Sequence, residues 1–207
     1  MNFELPKIYP ITDERLSGIS HADQVERLID GGAKLIQLRD KYASSRDFYE
    51  SAAKAVEIAR KCGVKVIIND RVDIALALNA DGVHLGQNDL PPAFARKILG
   101  EDAIIGFSTH SSQQARCAVG LPINYIAIGP IFSTRTKENG DAVVGLKGLS
   151  EARNAIGNFP LVAIGGISSK DLMSIFDAGA DSAAMIGHLI SDADQITREM
   201  RHLSGFW

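Results

Sequence analysis

Eight short apolar runs recur along the chain, many of them rich in β-branched residues, and amphipathic segments separate them. The runs are 8–11, 35–38, 64–68, 83–85, 104–107, 125–128, 161–164 and 183–186. The intervening segments carry apolar residues at helical spacing, as at Val25, Leu28 and Ile29. Strands that are apolar on both faces and alternate with helices indicate a parallel sheet covered by helices.

Eight such units in 207 residues predict an α/β fold, a single (β/α)8 TIM barrel that forms one domain over residues 1–207. A doubly wound open sheet with extra strands is the structural alternative. Ser20, Ser44 and Ser168 each precede an aspartate by three residues, a spacing typical of helix starts. Glycines at 31–32 and at 179 stand where helices should end.

Composition excludes several classes of partner. A net charge of −3 gives no general attraction to nucleic acid or to anionic membranes. No run approaches the roughly 18 apolar residues that a membrane span needs, and the first ten residues lack an apolar signal core. We therefore expect a cytoplasmic protein that acts on small molecules, and a homo-oligomer is compatible with the sequence. Cys62 and Cys117 lack metal or redox spacing and are expected to be small buried hydrophobic residues.

Polar residues gather directly after the predicted strands, where the C-terminal face of a barrel carries its active site. Gln37, Arg39 and Lys41 stand at alternate positions after the second strand and could contact a phosphate together. The alternative is a solvated turn in which Asp40 neutralises a neighbouring charge.

Two carboxylates, Asp70 and Asp89, follow adjacent predicted strands. A few hard oxygen ligands, completed by water, suit Mg²⁺ bound together with a substrate phosphate. For Asp70 a helix cap is the competing interpretation.

Hydroxyl groups mark the next strand end. Ser108 and His110 lie close in sequence, but neither an orienting acid nor the G-x-S-x-G pattern of a nucleophilic serine is present. We therefore interpret Ser108 as a phosphate-contacting hydroxyl and His110 as a structural histidine.

The segment 129–137 interleaves three hydroxyls with two cations, which indicates an anion-binding loop, although a mobile surface loop is the alternative. Gly166 and Gly187 follow the last two predicted strands, where backbone N–H groups form a phosphate site in many barrels. Two anion regions, one of them with a metal, suggest a diphosphate leaving group on one substrate and a simple phosphate on the other.

Taken in this order and spacing, the motifs resemble those of the thiamine-phosphate synthase family. They are QLRDK at 37–41, INDRVDIALALNADGVHLGQNDL at 68–90, GFSTHS at 106–111, GPIFSTRTK at 129–137 and AIGGI at 163–167. The resemblance extends over nearly the whole chain, from 9 to 190.

The resemblance implies that 4-amino-2-methyl-5-(diphosphomethyl)pyrimidine loses diphosphate and that thiazole phosphate captures the resulting cation. It assigns the pyrimidine diphosphate to Gln37, Arg39, Lys41, Asn69, Ser108 and Lys137. It assigns Mg²⁺ to Asp70 and Asp89. It assigns the thiazole phosphate to Thr134, Thr136, Gly166, Ile186 and Gly187.

Two positions depart from the family pattern. Gly187 stands where relatives often have serine, and Ser133 stands where many have proline. One alternative function is a thiazole tautomerase of the same superfamily, which tends to lack the HLGQxD and TxTK elements present here. Another is a non-catalytic thiamine or phosphate-binding regulator, which would tolerate loss of Asp70 or Asp89.

Overall fold

The computed structural model of the protein describes residues 4–134 and 142–206. It shows a closed barrel of parallel strands in sequence order, in which β8 returns to pair with β1. The strands are β1 (Ile8–Thr12), β2 (Leu35–Leu38), β3 (Lys65–Asn69), β4 (Gly82–Leu85), β5 (Ile104–Thr109), β6 (Tyr125–Ile128), β7 (Leu161–Ile164) and β8 (Ser182–Met185). The TIM-barrel prediction is confirmed, and the open-sheet alternative is wrong.

Helices connect the strands around the outside of the barrel. Within the described residues they are α1 (Glu14–Ser17), α2 (His21–Asp30), α3 (Ser45–Lys61), α4 (Val72–Leu78), α5 (Pro92–Leu99), α6 (Ser112–Ala118), α7 (Gly145–Ile156), α8 (Leu172–Asp177), α9 (Gly187–Ile190) and α10 (Ile196–Ser204). Short 3-10 turns lie at Ser169–Asp171 and Ala193–Gln195.

The helix boundaries follow the signals in the sequence. The Ser20 and Ser44 hydroxyls accept hydrogen bonds from the backbone N–H three residues on, at 3.1 and 3.2 Å. Ser168 forms a reciprocal capping box with Asp171 at the turn that precedes α8. Gly179 ends α8 at φ 104°, a backbone conformation that favours glycine. The predicted helix starts and ends are therefore confirmed at these positions.

Two apolar layers hold the barrel, one inside it and one between the strands and the helices. Side chains alternate along a strand, so residues two apart share a face. On β2, Leu35 belongs to the inner layer, whereas Ile36 and Leu38 pack against the helices. Gln37 therefore follows Leu35 on the inner face, one step nearer the C-terminal end of the barrel.

Two expectations need correction. Cys62 and Cys117 are exposed free thiols, not buried hydrophobic residues, because each lies near the end of a helix on a solvent-facing side. Strand β5 extends to Thr109, so Ser108 lies inside the strand, whereas the apolar run ended the predicted strand at 107. In the described part of the chain, no helix combines the length and apolarity needed to cross a bilayer.

Gly106 shows why one barrel position must be glycine. It pairs with His84 of β4 on one side and with Tyr125 of β6 on the other. A Cβ at this position would lie 2.1 Å from Tyr125 Cζ and 2.5 Å from His84 Nδ1. The missing side chain leaves the space in which the tyrosine and the histidine meet.

Gly106→Ala is expected to lower the free energy of unfolding by about 1–3 kcal/mol, because the added methyl group overpacks a closed interior. Urea unfolding followed by circular dichroism measures the change. Gly120→Ala is the matched control, since its Cβ would have Cys117 O, at 3.9 Å, as its nearest neighbour. The control is expected to stay within about 0.5 kcal/mol of the parent, and equal losses in the two variants would contradict the packing argument.

Candidate active site

Polar side chains occupy the inner face near the C-terminal ends of several strands. Gln37, Asn69 and His84 are 3%, 7% and 6% exposed, and Ser108 lies on the same side of β5 as Gly106. Because all strands are parallel, these ends meet at one mouth of the barrel. The structure thus places Gln37, Asn69 and Ser108 at the face where the sequence analysis expected polar residues to gather.

Asn69 ends β3 and has an unsatisfied amide. Among the described residues, nothing accepts a hydrogen bond from its buried Nδ2. Buried polar groups in native proteins are nearly always hydrogen-bonded, so such a donor at a barrel mouth indicates a place for a ligand acceptor.

Asp70 and Asp89 lie together at the mouth. Asp70 adopts φ 62° and contacts Lys41 Nζ through Oδ2. Asp89 Oδ2 accepts a hydrogen bond from the Gly86 N–H at 2.6 Å. Asp70 does not cap α4, because the residue at that N-cap is Arg71 and no side chain makes a cap hydrogen bond there. The helix-cap interpretation of Asp70 is therefore wrong.

Asp89 has a perturbed acidity. Burial is the largest effect and raises the pKa of Asp89, whereas the hydrogen bond from the Gly86 N–H lowers it. The charge of Asp70 and a hydrogen bond between the two carboxyl side chains raise the pKa further. Lys41 acts in the opposite direction. A carboxylate whose ionisation is opposed by a second carboxylate beside it suits a divalent cation. The described residues contain no group of three or more His, Cys, Asp or Glu side chains arranged for a metal.

Arg39 is fixed by a residue that the sequence analysis missed. Its Nη1 donates to Asp13 Oδ2 at 2.5 Å, and the two side chains are only 11% and 12% exposed. Asp13 is also the N-cap of α1, where its Oδ1 accepts from the Leu16 N–H at 3.2 Å. Asp40, by contrast, accepts from the Tyr42 and Ala43 N–H groups and shapes the turn after β2. Arg39 and Asp13 are 26 positions apart, so no local motif indicated the pair.

The loops after β6 and β7 are tied together. Backbone N–H groups of Ile131 and Phe132 donate to the carbonyls of Ile164 and Gly165, each at 2.9 Å. Gly166 has φ 67°, and a Cβ there would lie 2.6 Å from the Ser133 carbonyl oxygen. The Gly-Gly pair therefore lets these two loops pack closely.

The residues assigned to the thiazole phosphate fall partly within the described chain. Thr134 ends the described part of the loop after β6, while Thr136 and Lys137 lie outside the described residues. Ile186 is the N-cap residue of α9 and Gly187 is the first residue of that helix. A Cβ at Gly187 would make only ordinary contacts, the nearest with Ser191 Oγ at 3.7 Å.

Two histidines take different roles at the mouth. His110 Nδ1 donates to the Gly129 carbonyl at 2.7 Å, which agrees with its interpretation as a structural residue. His84, which the sequence analysis did not single out, contacts Ser108 Oγ through Nε2 at 2.8 Å. Burial lowers the pKa of His84 to about 4. Its inward position on β4, as the first residue of the HLGQ motif, is the signal that could have identified it.

Comparisons with known proteins give a consistent picture. The family model described as thiamine monophosphate synthase matches residues 8–189. The chain is 43% identical over 201 residues to a thiamine-phosphate synthase of Syntrophomonas wolfei, covering 97% of this chain and 95% of that protein. It is 45% identical over 189 residues to one of Clostridium novyi, covering 91% and 92%. A solved thiamine phosphate pyrophosphorylase from Pyrococcus furiosus superposes with a TM-score of 0.84 at 34% identity, covering 97% and 96%.

Asp89→Asn is expected to raise the stability of the metal-free protein at neutral pH. The carboxyl has a raised pKa in the folded state, so its ionised form opposes folding and the neutral amide relieves that cost. Asp73→Asn is the control with opposite sign, because Arg71 lowers the pKa of Asp73 and its charged form favours folding. Both changes should be below about 1 kcal/mol, since the groups are partly exposed. Urea unfolding in the presence of a chelator measures them, and a loss of stability in Asp89→Asn contradicts the electrostatic argument.

Proposed function

This chain belongs to the thiamine monophosphate synthase family, and we propose that it joins 4-amino-2-methyl-5-(diphosphomethyl)pyrimidine to thiazole phosphate. It is an enzyme, and its reaction transfers the pyrimidinylmethyl group and releases diphosphate. The family resemblance drawn from the sequence motifs is confirmed. One observation carries the chemical proposal most directly: the paired carboxylates Asp70 and Asp89 stand beside Lys41 and the unsatisfied amide of Asn69.

The diphosphate end of the first substrate would lie over this charged cluster. We propose that Asp70 and Asp89 hold Mg²⁺ and that the substrate and water supply its remaining ligands. A bound Mg²⁺ supplies positive charge to the departing diphosphate. Lys41, which contacts Asp70, would contribute a further positive charge to the diphosphate oxygens.

The remaining pyrimidine-diphosphate residues have complementary tasks in the proposal. Arg39 adds a second cation, and its pair with Asp13 holds the guanidinium in place. Asn69 donates its unsatisfied Nδ2 to the substrate, and Gln37 and Ser108 contact the pyrimidine from the barrel interior. Lys137 provides a further positive charge from the loop after β6.

The proposed reaction is dissociative. The bond between the methylene carbon and the diphosphate oxygen breaks, and its electron pair leaves with the oxygen. The amino group of the ring feeds electrons to the resulting cation, and the lone pair of the thiazole nitrogen then forms the new carbon–nitrogen bond. No protein nucleophile takes part, so the residues act by holding both partners together and excluding water.

The thiazole phosphate would bind where the last loops meet. Gly166 and Gly187 offer backbone N–H groups, Ile186 borders the site, and Thr134 and Thr136 contribute hydroxyls. The close packing between the loops after β6 and β7 supports this assignment, because it brings the described start of the threonine loop against Gly166.

We also propose a cytoplasmic location. Cys62 and Cys117 are exposed and free, and exposed thiols persist in a reducing compartment.

Purified protein with both substrates and Mg²⁺ is expected to form thiamine phosphate and diphosphate, measured by chromatography and a coupled diphosphate assay. Asp89→Ala is expected to lower kcat by roughly 100-fold or more, because it removes a ligand that stabilises leaving-group charge. Asp73→Ala, at an exposed position on α4, is the control and should keep its activity. Full turnover in the presence of a chelator would refute the metal assignment, and thiazole tautomerisation without product would favour the isomerase.

Gly187→Ser is expected to lower KM for thiazole phosphate by roughly 5- to 10-fold, because the added hydroxyl can donate to a charged phosphate. The site accepts a side chain there, whereas Gly166→Ala should impair the enzyme, since its Cβ would meet the Ser133 backbone. Steady-state kinetics with the carboxylated and the simple thiazole measure both effects. An unchanged KM in Gly187→Ser would remove this residue from the phosphate site.

A further inference from the structure

A chain of hydrogen bonds runs through the interior of the barrel and joins two residues of the proposed pyrimidine site. Gln37 Nε2 donates to Tyr9 Oη at 3.0 Å, and Tyr9 Oη lies 3.0 Å from Tyr125 Oη. Tyr125 Oη lies 3.0 Å from His84 Nδ1, and His84 Nε2 lies 2.8 Å from Ser108 Oγ. These five residues form the buried polar chain, and they come from five different strands.

The protonation of the two phenols limits how the buried polar chain can be arranged. Burial raises the pKa of Tyr9 and Tyr125 well above the usual value, so both phenols keep their protons. An imidazole that accepts a hydrogen bond at one ring nitrogen carries its single proton on the other. The direction of each hydrogen bond therefore depends on which of its two partners donates a single proton.

The amide of Gln37 sets the direction of the buried polar chain. Tyr9 accepts from Gln37, and within the described residues the acceptor that contacts the Tyr9 hydroxyl is Tyr125 Oη. Tyr125 in turn donates to His84 Nδ1, which leaves the imidazole proton on Nε2 to be donated to Ser108 Oγ. The opposite direction would leave the Tyr9 proton without an acceptor among the described residues, which is costly in a buried interior.

We propose that the buried polar chain fixes Gln37 as a hydrogen-bond acceptor and Ser108 as a donor towards the pyrimidine. In this way it selects an aminopyrimidine over the corresponding oxopyrimidine. Tyr9, Tyr125 and His84 act as positioning residues, since their hydrogen bonds run to one another and to the two residues assigned to the ring. The inference rests on the proposed function for the identity of the ring.

The chemistry of the two rings explains the selection. An aminopyrimidine presents N–H donors next to a ring nitrogen that accepts. The oxo form presents an oxygen that accepts next to a ring N–H that donates. The bond to Tyr9 fixes which side of the Gln37 amide carries Nε2, so Oε1 on the other side is available to accept. The Ser108 Oγ accepts from His84, so its own proton is available to donate. This pair complements the amino form and opposes the oxo form at both groups.

The barrel has space made for this contact. Gly106 lies between His84 and Tyr125 in the strand register, and a Cβ there would lie 2.3 Å from Tyr125 Oη and 2.5 Å from His84 Nδ1. The His84 and Tyr125 rings also stack, with centroids 5.5 Å apart. The glycine at position 106 therefore leaves room for the hydrogen bond between His84 and Tyr125.

The test compares the binding of two ligands, the aminopyrimidine diphosphate and its oxo counterpart, in the presence of Mg²⁺ by calorimetry. The unmodified protein is expected to bind the amino form at least 100-fold more tightly, because a mismatched pair leaves buried polar groups unsatisfied. Tyr125→Phe removes one hydroxyl and keeps the ring. It is expected to reduce this preference by roughly 10-fold or more, since His84 then loses the donor that fixes its tautomer.

Thr109→Val is the matched control. It also removes one buried hydroxyl from the barrel, which donates to the Ala127 carbonyl at 3.0 Å and lies outside the buried polar chain. Its ligand preference is expected to match that of the unmodified protein even if its stability falls. An equal loss of preference in Thr109→Val and Tyr125→Phe would overturn the proposal, as would an unchanged preference in Tyr125→Phe.

Nitrogen-15 NMR of the imidazoles measures the His84 tautomer, which a merely structural role of Tyr125 would leave unchanged. The His84 signals, assigned by their loss in His84→Gln, are expected to show a protonated Nε2 in the unmodified protein and a mixture of tautomers in Tyr125→Phe. A proton on Nδ1 in the unmodified protein would overturn the proposed direction. Failure of the unmodified protein to bind either ligand would instead refute the proposed function, whereas binding of both without preference would refute only the selection by the buried polar chain.

Discussion

Closure of the barrel is the constraint on which the rest of the structure depends. Pairing of β8 with β1 directs every second side chain into an interior that the strands seal from water. Apolar side chains fill most of that space, and a polar side chain left there without a partner is costly. The two tyrosines meet for this reason, with their rings edge to face and their hydroxyls in hydrogen-bonding contact across the barrel.

The mouth of the barrel obeys a different rule, because there the charges are only partly removed from water. Arg39 and Asp13 neutralise each other, whereas Asp70 has Lys41 on one side and Asp89 on the other. The carboxylate pair therefore retains negative charge that a cation would balance. The barrel interior holds neutral hydrogen-bonding groups, which suit a pyrimidine ring. The mouth holds charged groups, which suit the diphosphate attached to that ring.

Local patterns were sufficient to predict the elements and much of the site. Short apolar runs identified the strands and helical spacing identified the helices between them, while serine–aspartate pairs marked helix starts such as Ser20 and Ser44. Parallel strands between helices place their C-terminal ends on one face, so the motifs after each strand could be assigned to a common mouth. Asp70 and Asp89 were predicted as a pair on that basis, and they lie together.

The sequence by itself thus determined the order of the elements, the TIM barrel and the family, because each of these depends on patterns within a few residues or on motifs in series. Only the tertiary structure decided which distant side chains meet. Tyr9 and Tyr125 are 116 positions apart, and Arg39 finds Asp13 rather than a neighbour in its own motif. The exposure of Cys62 was also decided by tertiary packing, because it depends on which side of the end of α3 faces the solvent. Such contacts depend on strand register and closure, which no local pattern specifies.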